Sequence, residues 1–161
     1  MVASSGRTAE RHEIESVLES FTELPVHEDV EAGLEAARSS GFRLIALTNG
    51  SAENTHKLLS RAALTNYFER IVSIDEIHHW KPNREVYLYA AQKMSAAPDR
   101  MALIAAHAWD THGASQAGLV SGWVRRQEKE FPSSMTRPDV QEDTLEIVIN
   151  NLSGLNAGDA A

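Results

Sequence analysis

Apolar residues recur along this chain in two rhythms, one helical and one of short unbroken runs. From His12 onward, Ile14, Val17, Leu18, Phe21 and Leu24 fall at helical spacing, with Glu13, Glu15, Glu19 and Glu23 on the opposite face, until Pro25 stops the run. Asp29 is placed to cap a second helix that reaches about Ser39, and Gly41 lies just past its end, where a left-handed residue is favoured. The run FRLIALT at 42–48 predicts a short buried strand that empties into Asn49-Gly50-Ser51, with Ser51 capping a helix to about Ala63. A weaker strand follows at 71–74, then a helix over 84–95 with Val86, Tyr89, Ala90 and Met94 facing inward. MALIAA at 101–106 predicts a second buried strand, 110–117 a short helix ended by Gly118, and 119–124 a last strand. Leu145, Val148, Ile149 and Leu152 mark a closing helix. Residues 1–11 are polar and without period, 127–138 carries two prolines and few apolar residues, and 153–161 reads as a flexible tail.

This alternation predicts an α/β fold, a Rossmann-like parallel sheet flanked by helices, with ligands bound beyond the carboxyl ends of the strands. Three polar clusters then converge on one crevice. Thr48, Asn49, Gly50 and Ser51 follow the first strand, Lys81-Pro82 the second, and His107 through Asp110 the third. The helix-start amides with the Thr48 hydroxyl and Asn49 amide form a natural anion site, although an Asn-Gly turn with a serine cap is also common punctuation.

Composition narrows the partners. With 15 basic against 23 acidic residues and a formal charge of −8 among 161 residues, the chain repels a phosphate backbone, so nucleic acid is not expected as a partner. No apolar run approaches the roughly 18 residues that span a bilayer, and the first ten residues lack a signal-peptide core, so no membrane partner and a cytoplasmic location are expected. The absence of cysteine removes disulfides, thiolate metal sites and cysteine nucleophiles together. His78 and His79 are adjacent, and His107 and His112 flank Asp110, but neither spacing aligns two side chains on one face. No zinc site and no cofactor are expected.

Taken in order, LTNGS at 47–51, KPNREVY at 81–87 and AAHAWDTHGASQAG at 105–118 resemble the haloacid dehalogenase superfamily, and within it the type II (S)-2-haloacid dehalogenase-like group. The likeness covers about residues 12–152 and is to the C-terminal part of the family pattern. It implies a hydrolase in which an aspartate at the end of a first, central strand attacks the substrate carbon, displaces halide and leaves an ester that water cleaves. It implies that Thr48 and Asn49 hold the substrate carboxylate and the nucleophile oxygens, that Lys81 offsets the negative charge gathered there, that Tyr87 stands beside the site, and that Asp110 supports the hydrolytic step. The implied partner is a small anionic substrate, a 2-haloacid or a related carboxylate.

Three departures qualify that implication. Ala106 stands where the phosphatases of the superfamily keep an acidic magnesium ligand, which favours the metal-independent dehalogenase branch. His107 stands where the dehalogenases commonly have asparagine, and Ala105 where they have serine, so His107 is a substrate-binding candidate of altered chemistry. No apolar strand ending in Asp-x-x-x-Thr occurs in 1–41, where Asp29 reads as a helix cap. The helix over 12–24 then resembles the last piece of the family's helical cap, giving a cap remnant at 12–28 and an incomplete core at 29–152.

In the superfamily the first strand lies between those expected here at 42–48 and 101–106. Without it a gap of roughly 10 Å separates the two, and each edge group left buried and unpaired costs about 1–3 kcal/mol. Residues 1–11 are too polar to fill it. The strands then close on each other, another chain supplies the strand, or the product folds poorly. The expectation is a dehalogenase-like core, from a truncated or mis-started gene or one part of a longer protein, that is inactive alone. The alternatives are a non-catalytic module that binds small anions through Thr48, Asn49 and Lys81, or a complementing subunit. Homo-oligomers through exposed sheet edges are a further possibility.

Overall fold

In a computed structural model describing residues 10–158, the chain forms five strands, all parallel. β1 (Ile45–Thr48) pairs with β2 (Arg70–Ser73), Leu47 opposite Val72 and Thr48 opposite Ser73. β3 (Ala102–Ala105), β4 (Val120–Val124) and β5 (Val140–Glu142) form a second sheet in that order, with Ile104 opposite Gly122 and Gly122 opposite Val140. The two sheets are not joined by a ladder. β1 and β3 have not closed on each other, and each keeps one edge without a strand partner among the described residues.

Burial follows that division. β4, paired on both sides, buries Ser121, Gly122, Trp123 and Val124, whereas every residue of β1 is half-buried and Ala102 of β3 is exposed. The sequence expectation of buried strands at 42–48 and 101–106 is corrected accordingly. The side chains are apolar enough for a strand covered on both faces, but an unpaired edge leaves them open to solvent.

Helices cover both sheets. α2 (Val30–Ser39) and α3 (Ala52–Arg61) pack Leu34 and Leu59 with Leu44, Ala46 and Ile71 of the first half. α6 (Leu145–Gly158) packs Val148 and Leu152 on Val124, Val140 and Ile104 of the second. α4 (Arg84–Lys93) and α5 (Ala108–Ala117) bury Tyr87, Ala114 and Ala117 against Leu47 of β1 and Leu103 of β3, so one apolar cluster spans the divide. The halves are also tied where α2 meets α6, at a close approach of Gly33 to the Leu145 side chain. The expected caps form at Ser51, whose hydroxyl accepts the Asn54 amide, and at Gly118, in the left-handed region at φ 90°.

Three other expectations are revised, for Asp29, Tyr89 and the segment after 152, and α1 shows an exposed stripe. Asp29 makes no cap bond to α2; its carboxylate pairs with Arg126 and caps α6 by accepting the Leu145 amide. α1 (Arg11–Ser20), followed by a 3-10 turn at Phe21–Glu23, forms as predicted, but its apolar stripe is not buried: Ile14, Val17, Phe21 and Leu24 are all at least half exposed. Amphipathic spacing specifies a helix and leaves open whether anything covers its apolar face. Tyr89 is only half-buried, its hydroxyl donating to Glu76, while Tyr87 takes the buried position. α6 continues through 153–158, where the sequence suggested a tail, and β5 was not foreseen. Of the loose segment expected at 1–11, residues 1–9 lie outside the described residues, as do the last three of the chain, and Arg11 instead opens α1.

Candidate functional site

The carboxyl ends of β1, β2 and β3 deliver the polar residues that the motifs single out. Asn49 follows β1 directly and grips the loop before α4 from both sides: its Oδ1 accepts the Lys81 amide at 2.8 Å and its Nδ2 donates to the Lys81 carbonyl at 3.3 Å. That clasp fixes the root of the Lys81 side chain. Lys81 Nζ then donates to the Leu47 carbonyl at 3.2 Å and to Asp110 Oδ2 at 2.6 Å. The other carboxylate oxygen of Asp110 accepts the Tyr87 hydroxyl at 2.8 Å. Lys81 and Asp110 are 11% and 6% exposed, so this is a desolvated ion pair, strong only because each partner is also hydrogen-bonded.

Tyr87 remains a donor. Burial pushes its phenol well above the ordinary range, and the adjacent Asp110 charge adds to the effect. Gly113, one turn beyond Asp110, permits the approach, since a Cβ there would lie 2.6 Å from the Tyr87 hydroxyl oxygen and 2.7 Å from Pro82 Cβ. Asn49, Lys81, Tyr87 and Asp110 therefore form one connected cluster.

Thr48 and His107 stand apart from it. The Thr48 hydroxyl accepts the Gly50 amide at 2.9 Å, tightening its own turn. The Asn54 amide donates to the Ser51 hydroxyl and Asn49 Nδ2 to the Lys81 carbonyl, so these donors of the expected anion site already have acceptors within the protein. His107 lies beside Glu128 of the loop after β4, and its ring stacks on Trp109. Sequence reasoning missed Ser73 and Glu128. Ser73, buried at the end of β2, donates to the Gly50 carbonyl at 2.8 Å and so fixes the turn after β1. Its place at a strand's carboxyl end was the available signal. Nothing local to Glu128, in a stretch read only as loop, pointed to its partners.

The donor set does not suit magnesium. Asp110 has both oxygens committed to Lys81 and Tyr87, Ala106 offers no ligand, and no three acidic or histidine side chains gather among the described residues.

A parallel α/β core with a charged cluster beyond its strand ends defines a Rossmann-like protein. A family model described as haloacid dehalogenase-like hydrolase matches residues 1–118, and the chain belongs to that family. It is 28% identical over 119 residues to (S)-2-haloacid dehalogenase 2 of Pseudomonas sp. (strain CBS-3), covering 74% of this chain and 52% of that protein. The chain thus spans about half the length of the curated relative it matches. Among solved structures it resembles the L-2-haloacid dehalogenase of Xanthobacter autotrophicus with chloropropionic acid covalently bound, at a TM-score of 0.84 and 16% identity over 93% of this chain and 70% of that one. It also resembles a HAD phosphatase from Thermococcus onnurineus, at a TM-score of 0.74 and 25% identity over 88% of this chain and 65% of that one.

Proposed function

We propose that this chain is the core of a 2-haloacid dehalogenase-type hydrolase whose nucleophilic aspartate arrives on a strand seated between β1 and β3. The observation that carries the reading is the Lys81–Asp110–Tyr87 cluster lying beside two unpaired parallel edges. An extended segment running parallel to both would complete the ladders and bring its carboxyl end to that cluster. In the reaction the incoming carboxylate forms a C–O bond to the halogen-bearing carbon as halide departs. Water then splits the ester, yielding the hydroxy acid and restoring the carboxylate. Lys81 lowers the energy of the negative charge collected there, and Thr48 and Asn49 shape the end of β1 against substrate and nucleophile.

The test adds to the purified chain a synthetic apolar peptide ending in Asp-x-x-x-Thr. Amide exchange in β1 and β3 should slow on binding, and chloride should be released from 2-chloropropionate only when peptide is present. Asp110→Asn should abolish the release. Halide release from the chain alone, or a peptide that leaves both edges unprotected, overturns the reading.

A further inference from the structure

Asn49-Gly50 is the only place in the chain where asparagine precedes glycine. With no Cβ on the second residue, the glycine nitrogen reaches the asparagine side-chain carbonyl carbon more freely than at any other Asn-X step. Contacts on both reacting groups oppose that approach in the folded chain. The Asn49 carboxamide is held at both ends by Lys81, its Oδ1 accepting the Lys81 amide at 2.8 Å and its Nδ2 donating to the Lys81 carbonyl at 3.3 Å. The Gly50 amide donates to Thr48 Oγ1 at 2.9 Å, and the Gly50 carbonyl accepts the buried Ser73 hydroxyl at 2.8 Å. Ring closure needs the nitrogen and the carbon in near-attack geometry, and reaching it here breaks hydrogen bonds on both sides. Gly50 itself is exposed, so water has access to the peptide.

We propose that Asn49-Gly50 is a deamidation site gated by the Lys81 loop, shut while the loop is docked and converted in one direction when it lifts. Gly50 N bonds to Asn49 Cγ, the Cγ–Nδ2 bond breaks, and Nδ2 leaves as ammonia with the proton given up by the Gly50 amide. Water then adds to one carbonyl of the succinimide, and the ring opens to aspartate or isoaspartate. Neither product rebuilds the clasp. An aspartate at 49 has only acceptors, so one oxygen takes the Lys81 amide while the other faces the Lys81 carbonyl with no proton to share. An isoaspartate also adds a methylene to the main chain between β1 and the Ser51 cap of α3. Conversion therefore weakens the support that roots the Lys81 ammonium between the Leu47 carbonyl and Asp110.

The test incubates the purified chain and a synthetic peptide of residues 45–53 in the same mildly alkaline buffer. Conversion at Asn49 is followed by peptide mass spectrometry, with isoaspartate separated by chromatography. The folded chain should convert at least about tenfold more slowly than the peptide, because its rate follows the opened population of the loop. Thr48→Val and Ser73→Ala each remove one contact of Gly50 and should each quicken conversion. Sub-denaturing urea should do the same in the native chain, where no variant has to fold. Asn49→Asp should unfold at a lower urea midpoint than the native chain. A native rate equal to the peptide's, a rate quickened neither by the variants nor by urea, or an Asn49→Asp chain as stable as the native one overturns the proposal. Halide release enters none of these measurements, so the gate and the hydrolase reading fail separately.

Discussion

Lys81 Nζ stands 2.6 Å from Asp110 Oδ2, and this single contact joins the loop after β2 to the first turn of α5 across the unpaired edges of β1 and β3. Replacing Lys81 by Met leaves a buried carboxylate with only Tyr87 to stabilise it, at an expected cost of about 3–5 kcal/mol. Asp110→Asn in the same chain removes the stranded charge and should recover much of that loss. Urea midpoints of the two single variants and the double variant measure the coupling. Additive losses would show that the pair does not act as a unit.

Gly113→Ala tests the packing behind the pair. The added methyl meets Tyr87 and Pro82 at once, and neither the buried ring nor the proline can yield cheaply. A loss of about 1–3 kcal/mol is expected. Tyrosine fluorescence should change with it as Tyr87 is pushed off Asp110.

Asp29 gives the acid limb of stability a definite sign. Burial raises its carboxyl pKa, but the Arg126 hydrogen bond and charge and the Leu145 amide outweigh that and hold it below its ordinary value. A carboxyl lowered in the folded state contributes stability that is full above its unfolded pKa, about 4, and is lost as pH falls through the lower folded value. Thermal melts from about pH 6 to about pH 2 should therefore show a steeper acid decline in the native chain than in Asp29→Asn. At neutral pH Asp29→Ala should cost about 2–4 kcal/mol, since it strips Arg126 of its partner and α6 of its cap.

The stripe on α1 should be nearly silent. Val17→Ser and Phe21→Ser change residues that are 58% and 55% exposed, and each should shift stability by less than about 0.5 kcal/mol. A loss of several kcal/mol would mean that the stripe is covered in solution.

What could be read in advance follows from how local the cause is. The short apolar runs at β1, β3 and β4, the Ser51 cap and Gly118 are each settled within a few residues, and they appear where the pattern places them. The meeting of Lys81 and Asp110 was legible from the strand order, because strand ends in a parallel sheet share one side; Tyr87 entered only through the family resemblance, the helical pattern having turned Tyr89 inward instead. Asp29 was misread for the opposite reason: its partners lie 97 and 116 positions away, and nothing near it distinguishes a cap for its own helix from a cap for another. β5 escaped because a three-residue strand, VQE, has too little apolar content to announce itself. Glu128 escaped because its meaning depends on where a long loop comes to rest.

The split between the two sheets also shapes how the molecule comes apart. In a continuous sheet the backbone itself passes unfolding from strand to strand. Here the β1–β2 half and the β3–β4–β5 half communicate through side chains, through α2 against α6 and α4 against α5, and through the clasp of Asp29 on Arg126. Heat therefore meets two foldons joined at a seam, and the calorimetric enthalpy of the melt should exceed the van't Hoff enthalpy drawn from its shape. The strength of that seam, rather than the stability of either half, sets how sharply the protein melts.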